Sequence, residues 1–292
     1  MNLEPSVAQF VGASATLKVE VTARDTMNYA AGVEDLNSAY FDDTTPAGLV
    51  APPMFAAALT WRLSSRLPEL WPDFPISADA LLSQVHYSER LRWERCVKPG
   101  DRLGITGQIT GLHPHRAGTL LWIEYTVRDA SGGLVFTEEA GSLLRGAFLT
   151  ETSETPAVEV KGEAAPQESM WRKRLSIAPH AAHLYDACAN IHFPIHTSPG
   201  FAQSQGLPGT IYQGTATLAV ALREIINQEA QGNVSSVREV ACRFTGMVRP
   251  GTDIQLEVVR RTETEEGTEV NFVVWNHENT LAIRQGRVRI RS

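Results

Sequence analysis

Two stretches of twelve residues carry side chains whose types and spacing could do acid–base chemistry. One reads YDACANIHFPIH and ends at His196; the other reads YAAGVEDLNSAY and ends at Tyr40. Aligned without a gap, they place Asp35 opposite Ile191 and Tyr40 opposite His196. An imidazole takes up or releases a proton near neutral pH, and a carboxylate can accept one. One stretch therefore offers a histidine for proton transfer and the other a carboxylate.

The two stretches belong to a longer internal repetition. GLVAPPMFAAALTWRL is matched by GTIYQGTATLAVALREI, and CVKPGDRLGITGQI is matched by MVRPGTDIQLEVV. The three offsets are 156 from Tyr29 to Tyr185, 161 from Gly48 to Gly209 and 151 from Gly100 to Gly251. Near-constant offsets in the same order indicate a duplicated unit of about 140 residues.

We expect an N-terminal domain at 1–150 and a C-terminal domain at 170–292. The stretch between them, 151–169, reads ETSETPAVEVKGEAAPQES and is poor in large apolar residues. Such a composition buries too little surface to fold alone and is typical of a linker.

Each half predicts the same elements around its candidate residues. A helix of small residues is expected at Met54–Arg66 in the first half and at Thr215–Asn227 in the second. Alternating apolar and polar residues predict strands at 120–129 and 134–149, joined by the turn ASGG, and at 252–263, 268–278 and 280–292. One long helix followed by an antiparallel meander is an α+β unit with the helix on one face of its sheet.

Composition narrows the class of protein. The chain has 292 residues, 43% of them hydrophobic and 20% charged, with a formal net charge of −7. An acidic balance argues against a general nucleic-acid surface. Three scattered cysteines without CxxC spacing favour a reducing compartment, and neither a signal peptide nor a membrane span is evident. We therefore predict a cytoplasmic protein without nucleic-acid or membrane partners, and no metal site.

The segment NIHFPIHTSPGFAQSQGLPGTIYQGTATLAVAL resembles the hydratase signature of MaoC-like proteins. GVEDLNSAYFDD, VKPGDRL and CRFTGMVRPGTDIQL are similar to other parts of the two-domain members of that family. The resemblance implies a double hot-dog fold, with two antiparallel sheets each wrapped around a long central helix. It also implies reversible hydration of 2-enoyl thioesters to (R)-3-hydroxyacyl thioesters. No separate cofactor is expected, because coenzyme A or the phosphopantetheine of acyl carrier protein would be part of the substrate.

The resemblance assigns roles to several residues of the second half. The family transfers protons with an Asp and a His five positions apart, and steadies enolate-like charge with a backbone N–H at the start of the central helix. His196 falls on the family histidine, and Gly214 would supply the N–H. Gln213 stands where the family has a histidine.

The carboxylate that the family uses is missing, because Ile191 stands five positions before His196. If the loop holds one extra residue, Asn190 takes its place, and an amide can orient water without being a base. His192 could relay protons, and Asp186 is a more remote candidate for the base.

The first half has the reverse defect. It keeps Asp35 but has Tyr40 in place of the histidine and Pro52-Pro53 at the helix start, where a proline nitrogen has no hydrogen to donate. In the resembling two-domain proteins this half shapes the tunnel for the acyl chain. The candidate substrate-binding residues are Gly214, Thr215, Gln213, Asp35, Tyr40 and Arg243, the last as a contact for a phosphate group.

These features favour a thioester hydratase or dehydratase that acts on acyl-CoA or acyl carrier protein. Two alternatives stay open: a subunit that has lost the base and only binds acyl thioesters, and a hot-dog thioesterase. A homodimer is possible, although a fused pair of domains already supplies a dimer-like interface.

Overall fold

The computed structural model describes residues 2–3, 10–45, 48–70, 78–149 and 168–291, so the expected linker lies almost wholly outside the described residues. The strands are β1 (Asn2–Leu3), β2 (Ser14–Glu20), β3 (Gln84–Trp93), β4 (Arg102–His115), β5 (Gly118–Asp129), β6 (Leu134–Arg145), β7 (Phe148–Leu149), β8 (Trp171–Ser176), β9 (Val237–Phe244), β10 (Asp253–Thr264), β11 (Gly267–Trp275) and β12 (Leu281–Ile290). The helices are α1 (Ala23–Gly32), α2 (Phe55–Ser64), α3 (Leu67–Leu70), α4 (Ala78–Leu82), α5 (Ala181–Ala189), α6 (Pro199–Ser204) and α7 (Gly214–Glu229). Among these helices, none is long and apolar enough to cross a membrane.

Ten strands form one continuous sheet in the order β2-β4-β5-β6-β3-β9-β12-β11-β10-β8. Every neighbouring pair in it is antiparallel. The predicted strands correspond to β5 and β6 in the first half and to β10–β12 in the second, whereas β4 is not among the predicted strands. With β4 included, the meanders are β4–β6 and β10–β12. In each half the strand that precedes the central helix pairs with the outer edge of the meander, and the strand that follows it pairs with the inner edge.

The two halves join through β3 and β9, and this seam is symmetric. Ser88 pairs with Arg243, and Arg92 pairs with Glu239. The offset of 151 from Gly100 to Gly251 relates Ser88 to Glu239 and Arg92 to Arg243, so each pair maps onto the other. An approximate two-fold axis therefore passes between β3 and β9, as in a closed two-fold dimer.

The central helices α2 and α7 lie under the sheet, and their small residues allow the strands to approach closely. In α2 the run Phe55–Thr60 is wholly buried, and in α7 buried residues occur on every face of the first three turns. A helix that is apolar all round is a core helix. Both central helices were predicted, but α2 is shorter than its predicted span and ends at Ser64, whereas α7 extends to Glu229.

The repeated tyrosine segments contact each other across the axis. Tyr29 in α1 and Tyr185 in α5 are both fully buried, with their hydroxyl oxygens 3.2 Å apart. A Cβ atom at Gly32 would lie only 2.6 Å from Cβ of Cys188, so α1 and α5 pack at a distance that requires glycine there.

An ion-pair network covers the seam on the outer face of the sheet. The carboxylate of Glu239, only 4% exposed, lies within 4 Å of four guanidinium groups, those of Arg90, Arg92, Arg287 and Arg289. These residues belong to β3, β9 and β12, so the network ties the two halves together.

Candidate active site

A cavity of about 750 Å³ lies between the two halves and is lined by both. The second half contributes the loop that ends at His196, the start of α7 and the end of β9. The first half contributes α2 and the inner faces of β3, β5 and β6. The volume is in the range of small-molecule binding sites.

His196 lines this cavity at the end of a short 3-10 helix, Pro194–His196. Its Nδ1 lies 2.9 Å from the carbonyl oxygen of Ile211. A carbonyl can only accept a hydrogen bond, so Nδ1 carries the proton and Nε2 keeps a free lone pair. Burial lowers the pKa of the His196 ring to about 4, which leaves the ring neutral at pH 7. His196 can therefore accept a proton through Nε2.

The start of α7 offers an N–H to the same cavity. Gly214 is the first residue of the helix, where backbone N–H groups have no intrahelical acceptor, and among the described residues its N–H makes no hydrogen bond. A Cβ atom at Gly214 would lie 3.1 Å from the Phe244 ring, so glycine lets that ring pack against the helix start. A helix N-terminus favours negative charge.

The neighbours of Gly214 also line the cavity. Gln213 is buried; its Nε2 donates to the Ala182 carbonyl at 3.0 Å, and its Oε1 has no partner within the described structure. The hydroxyl of Thr215 accepts a hydrogen bond from Tyr185 at 3.1 Å. Next to Gly214 in sequence, Gln213 therefore holds a buried acceptor without a partner among the described residues.

The polar residues considered as replacements for the missing base lie outside the cavity lining, and the position of the family carboxylate is taken by Ile191. Ile191 is buried and lines the cavity with an apolar side chain. His192 is exposed, with Nδ1 2.8 Å from Oδ2 of Asp186 and Nε2 2.8 Å from Oδ1 of Asn190. These three polar residues contact one another, but none of them lines the cavity that His196 faces.

The first half's copy of the site is closed. Asp35 and Tyr40 are buried, and neither lines the cavity. Burial raises the pKa of both, although hydrogen bonding from the Asn37 N–H opposes the shift at Asp35. Beside Pro52-Pro53 the described residues leave a void of about 10 Å³, bounded in part by Trp93, which corresponds by the offset of 151 to Phe244. The nitrogens of Pro52 and Pro53 have no hydrogen to donate, and a void of this size is too small for a substrate.

Sequence reasoning missed a buried polar cluster that borders the cavity from the first half. Nε2 of His86 lies 2.9 Å from Oε2 of Glu89, and Glu89 adjoins Glu138. His86 and Glu138 line the cavity, and both glutamates are at most 3% exposed. The sequence does contain an indication of this cluster. Side chains two residues apart in a strand point to the same face, so Glu89 faces inward like the buried Leu91, and Glu138 faces inward like the buried Phe136.

Arg243 lies in the cavity wall as a cation without a carboxylate partner among the described residues. Its guanidinium carbon lies 4.3 Å above the centre of the Tyr87 ring and it also hydrogen-bonds the Tyr87 hydroxyl. Its counterpart Arg92 instead pairs with Glu139 and Glu239. Arg243 is therefore available to an anionic group of a ligand.

Comparisons with known proteins agree with this architecture. Residues 161–281 match the MaoC like domain, and residues 9–138 match the dehydratase domain region described as FAS1-like. The enoyl-CoA hydratase ChsH3 of Mycobacterium tuberculosis is 24% identical over 236 residues, which is 80% of this chain and 79% of that protein.

Solved structures with the same fold cover nearly the whole chain. The crystal structure of a MaoC-like dehydratase from Phytophthora capsici superposes with a TM-score of 0.79 at 21% identity, over 98% of both chains. A Mycobacterium tuberculosis protein described as having a double hotdog fold gives a TM-score of 0.62 at 14% identity, over 95% of this chain and 94% of that one.

Two antiparallel half-sheets, each packed on its own helix and sharing one cavity, define a double hot-dog protein, as the sequence predicts. The second half of this chain carries a MaoC like domain, the first half is similar to a FAS1-like dehydratase region, and an enoyl-CoA hydratase is among the relatives.

Proposed function

We propose that this protein catalyses the reversible hydration of a 2-enoyl thioester, with His196 as the acid–base residue and the Gly214 N–H as the oxyanion donor. The observation that carries the proposal is that both residues line the same cavity. Hydration needs a base for water at C3, a proton for C2 and a donor to the thioester oxygen.

The neutral ring of His196 suits the first two needs. Its free Nε2 lone pair can accept a proton from water as the C3–O bond forms, and the resulting imidazolium can return that proton to C2. Atoms and charges then balance without a second carboxylate. Asn190 and His192 have no part in this mechanism, because both lie outside the cavity lining.

The thioester carrier would bind through its negative charge. Arg243 supports this because it lines the cavity without a carboxylate partner among the described residues. A phosphate of coenzyme A or of phosphopantetheine would pair with the guanidinium group. Replacing Arg243 by Gln is therefore expected to raise KM more than it lowers kcat.

Steady-state hydration of crotonyl-CoA and longer 2-enoyl-CoAs tests the proposal. His196→Ala is expected to lower kcat/KM by about 100-fold or more, the usual contribution of a positioned acid–base group. The matched control is His192→Ala, which removes an exposed histidine of the same loop and should leave kcat/KM within about twofold of the unaltered protein. Equal loss of activity in both variants would contradict the assignment of His196.

A second candidate function rests on one observation, the buried Ile191 in place of the family carboxylate. A subunit that only binds acyl thioesters would show saturable binding of enoyl-CoA without turnover. Release of free thiol in the same assay would instead indicate a thioesterase.

A further inference from the structure

The part of the cavity enclosed by the first half is lined with polar side chains, of which Thr60, Ser64 and Tyr125 hydrogen-bond to other groups of the protein. Thr60 and Ser64 of α2 line it together with Tyr125, Glu138 and His86 of the sheet. Oε2 of Glu138 is buried and has no hydrogen-bond partner within the described residues. An unpaired buried polar atom costs free energy, so this arrangement requires a reason.

The second half shows that the fold does not need these polar groups. The offset of 161 relates Thr60 and Ser64 of α2 to residues of α7. For the strands, we matched residues of the two halves by following the strand pairing outward from β3 and β9. This matching relates Glu89 to a residue of β9, Tyr125 to one of β11 and Glu138 to one of β12. Tyr125 pairs with Glu138 in one half, and Phe272 pairs with Gly286 in the other. The five counterparts are Ala221, Ile225, Val240, Phe272 and Gly286, all without a polar side chain and all buried. The polar cluster is therefore specific to the half that does not carry His196.

The charge state of the cluster indicates what it can bind. Burial raises the pKa of Glu89 to about 8 and that of Glu138 well above its ordinary value, so both carboxyls hold protons at neutral pH. Burial lowers the pKa of the His86 ring, which is therefore neutral. A neutral wall with hydrogen-bond donors and acceptors fits an uncharged oxygen and disfavours a carboxylate or an ammonium group.

We propose that the acyl group of the substrate carries an uncharged oxygen, as a hydroxyl or a carbonyl group, that hydrogen-bonds to Glu138 within the first half of the cavity. The proposal rests on the thioester chemistry proposed above, because it places the reacting carbons beside His196 and the oxygen at the far side of the same cavity. A site built to hydrogen-bond a hydroxyl discriminates strongly against the analogue that lacks it.

Calorimetric titration with saturated acyl-CoAs tests this independently of turnover. The probes are decanoyl-CoA and the isomeric hydroxydecanoyl-CoAs with the hydroxyl on the outer half of the chain. We expect at least one isomer to bind about tenfold or more tightly than decanoyl-CoA, since it pairs a buried group that is otherwise unpaired. Equal or weaker binding of every isomer would overturn the inference.

Substitutions in the polar cluster test whether it causes the preference for the hydroxylated acyl-CoA. Glu138→Leu should bind the hydroxylated isomer and decanoyl-CoA equally. Because this substitution leaves the Glu89 carboxyl without its neighbour, the double variant E89V/E138L is also measured; it places at position 89 the valine found at the counterpart Val240. Glu139→Gln, on the adjacent and outward-facing position, should keep the full preference. Retention of the preference in both cluster variants would overturn the inference. Absence of hydration of any 2-enoyl-CoA, with the binding preference intact, would instead overturn the proposed reaction.

Discussion

His196 combines a fixed tautomer with a buried ring, and each property has a separate origin. The Ile211 carbonyl, fifteen residues along the chain, holds the proton on Nδ1, whereas enclosure by both halves depresses the pKa. A ring that is neutral down to about pH 4 behaves differently from a free histidine, which is half protonated near pH 6.5.

The pH dependence of kcat/KM follows from this shift. We expect kcat/KM for enoyl-CoA hydration to stay constant between pH 7 and about pH 5, because protonation of His196 begins only as the pH approaches about 4. Rates in buffers of matched ionic strength give the measurement. His192→Gln should show the same profile. An acidic limb near pH 6.5 would mean that the reacting group is an exposed histidine.

The same shift affects stability. Between about pH 6.5 and about pH 4 the unfolded chain protonates this histidine while the folded protein does not. The free energy of unfolding therefore decreases as the pH falls through this range, by about 3 kcal/mol from this residue. His196→Gln should remove that part of the decrease, which denaturant unfolding at several pH values would measure. An unchanged pH dependence in the variant would show that the ring is not buried as a neutral group.

The sequence predicted His196 and Gly214 as site residues because short motifs fix their neighbours along the chain, and both line the cavity. It missed Glu89 and Glu138 because they approach each other only when β3 pairs with β6. It also predicted catalytic roles for Asn190 and His192, although spacing along a loop does not reveal which way the loop faces. Asn190 ends α5 in a left-handed conformation and turns the loop there, and both side chains lie outside the cavity lining.

Among the secondary-structure elements, strands in which apolar and polar residues alternate regularly could be predicted from the sequence. The strands β3 and β9, which join the two halves, could not. In β3 the sequence QVHYSERLRW interleaves charged residues on both faces, which obscures the period of two. On the outer face these charges are arginines that converge on Glu239. Burial alone would raise the pKa of Glu239, but the guanidinium groups of Arg287, Arg90, Arg289 and Arg92 hold it below its ordinary value.

Removing the Glu239 carboxylate should weaken the seam. Glu239→Gln leaves several guanidinium groups close together without a counter-charge, and we expect the free energy of unfolding to fall by about 2–4 kcal/mol. Glu139→Gln is the matched control on the same face, because Glu139 is 43% exposed and its ion pairs are solvated. It should cost less than about 1 kcal/mol. Denaturant titration compares the two, and equal costs would contradict a special role for the buried carboxylate.

For the whole molecule, the duplication was visible in the sequence, but the use of the space between the halves was not. The cavity needs the wall formed by His86, Trp61 and other residues of the first half. The domain limits at 1–150 and 170–292 stay a prediction, and they define a direct experiment.

Residues 170–292 expressed alone should not hydrate enoyl-CoA, because the fragment lacks one wall of the cavity and exposes the edge of β9. Co-expression with residues 1–150 should restore turnover and yield a copurifying complex, since β3 can pair with β9 between separate chains. Copurification on an affinity tag and an enoyl-CoA assay are the measurements. Full activity of the isolated second fragment would show that the first half is dispensable.

In the first half, Pro52 and Pro53 at the start of α2 border a void of only about 10 Å³, and this has an evolutionary consequence. In a homodimer of identical chains, any mutation in the binding region also alters the reacting region, because one gene encodes both. Under the function proposed above, the copy beside Pro52-Pro53 does not have to support a reaction. Substitutions in the interior of the first half can therefore change substrate specificity, while the half with His196 keeps the residues of the proposed reaction.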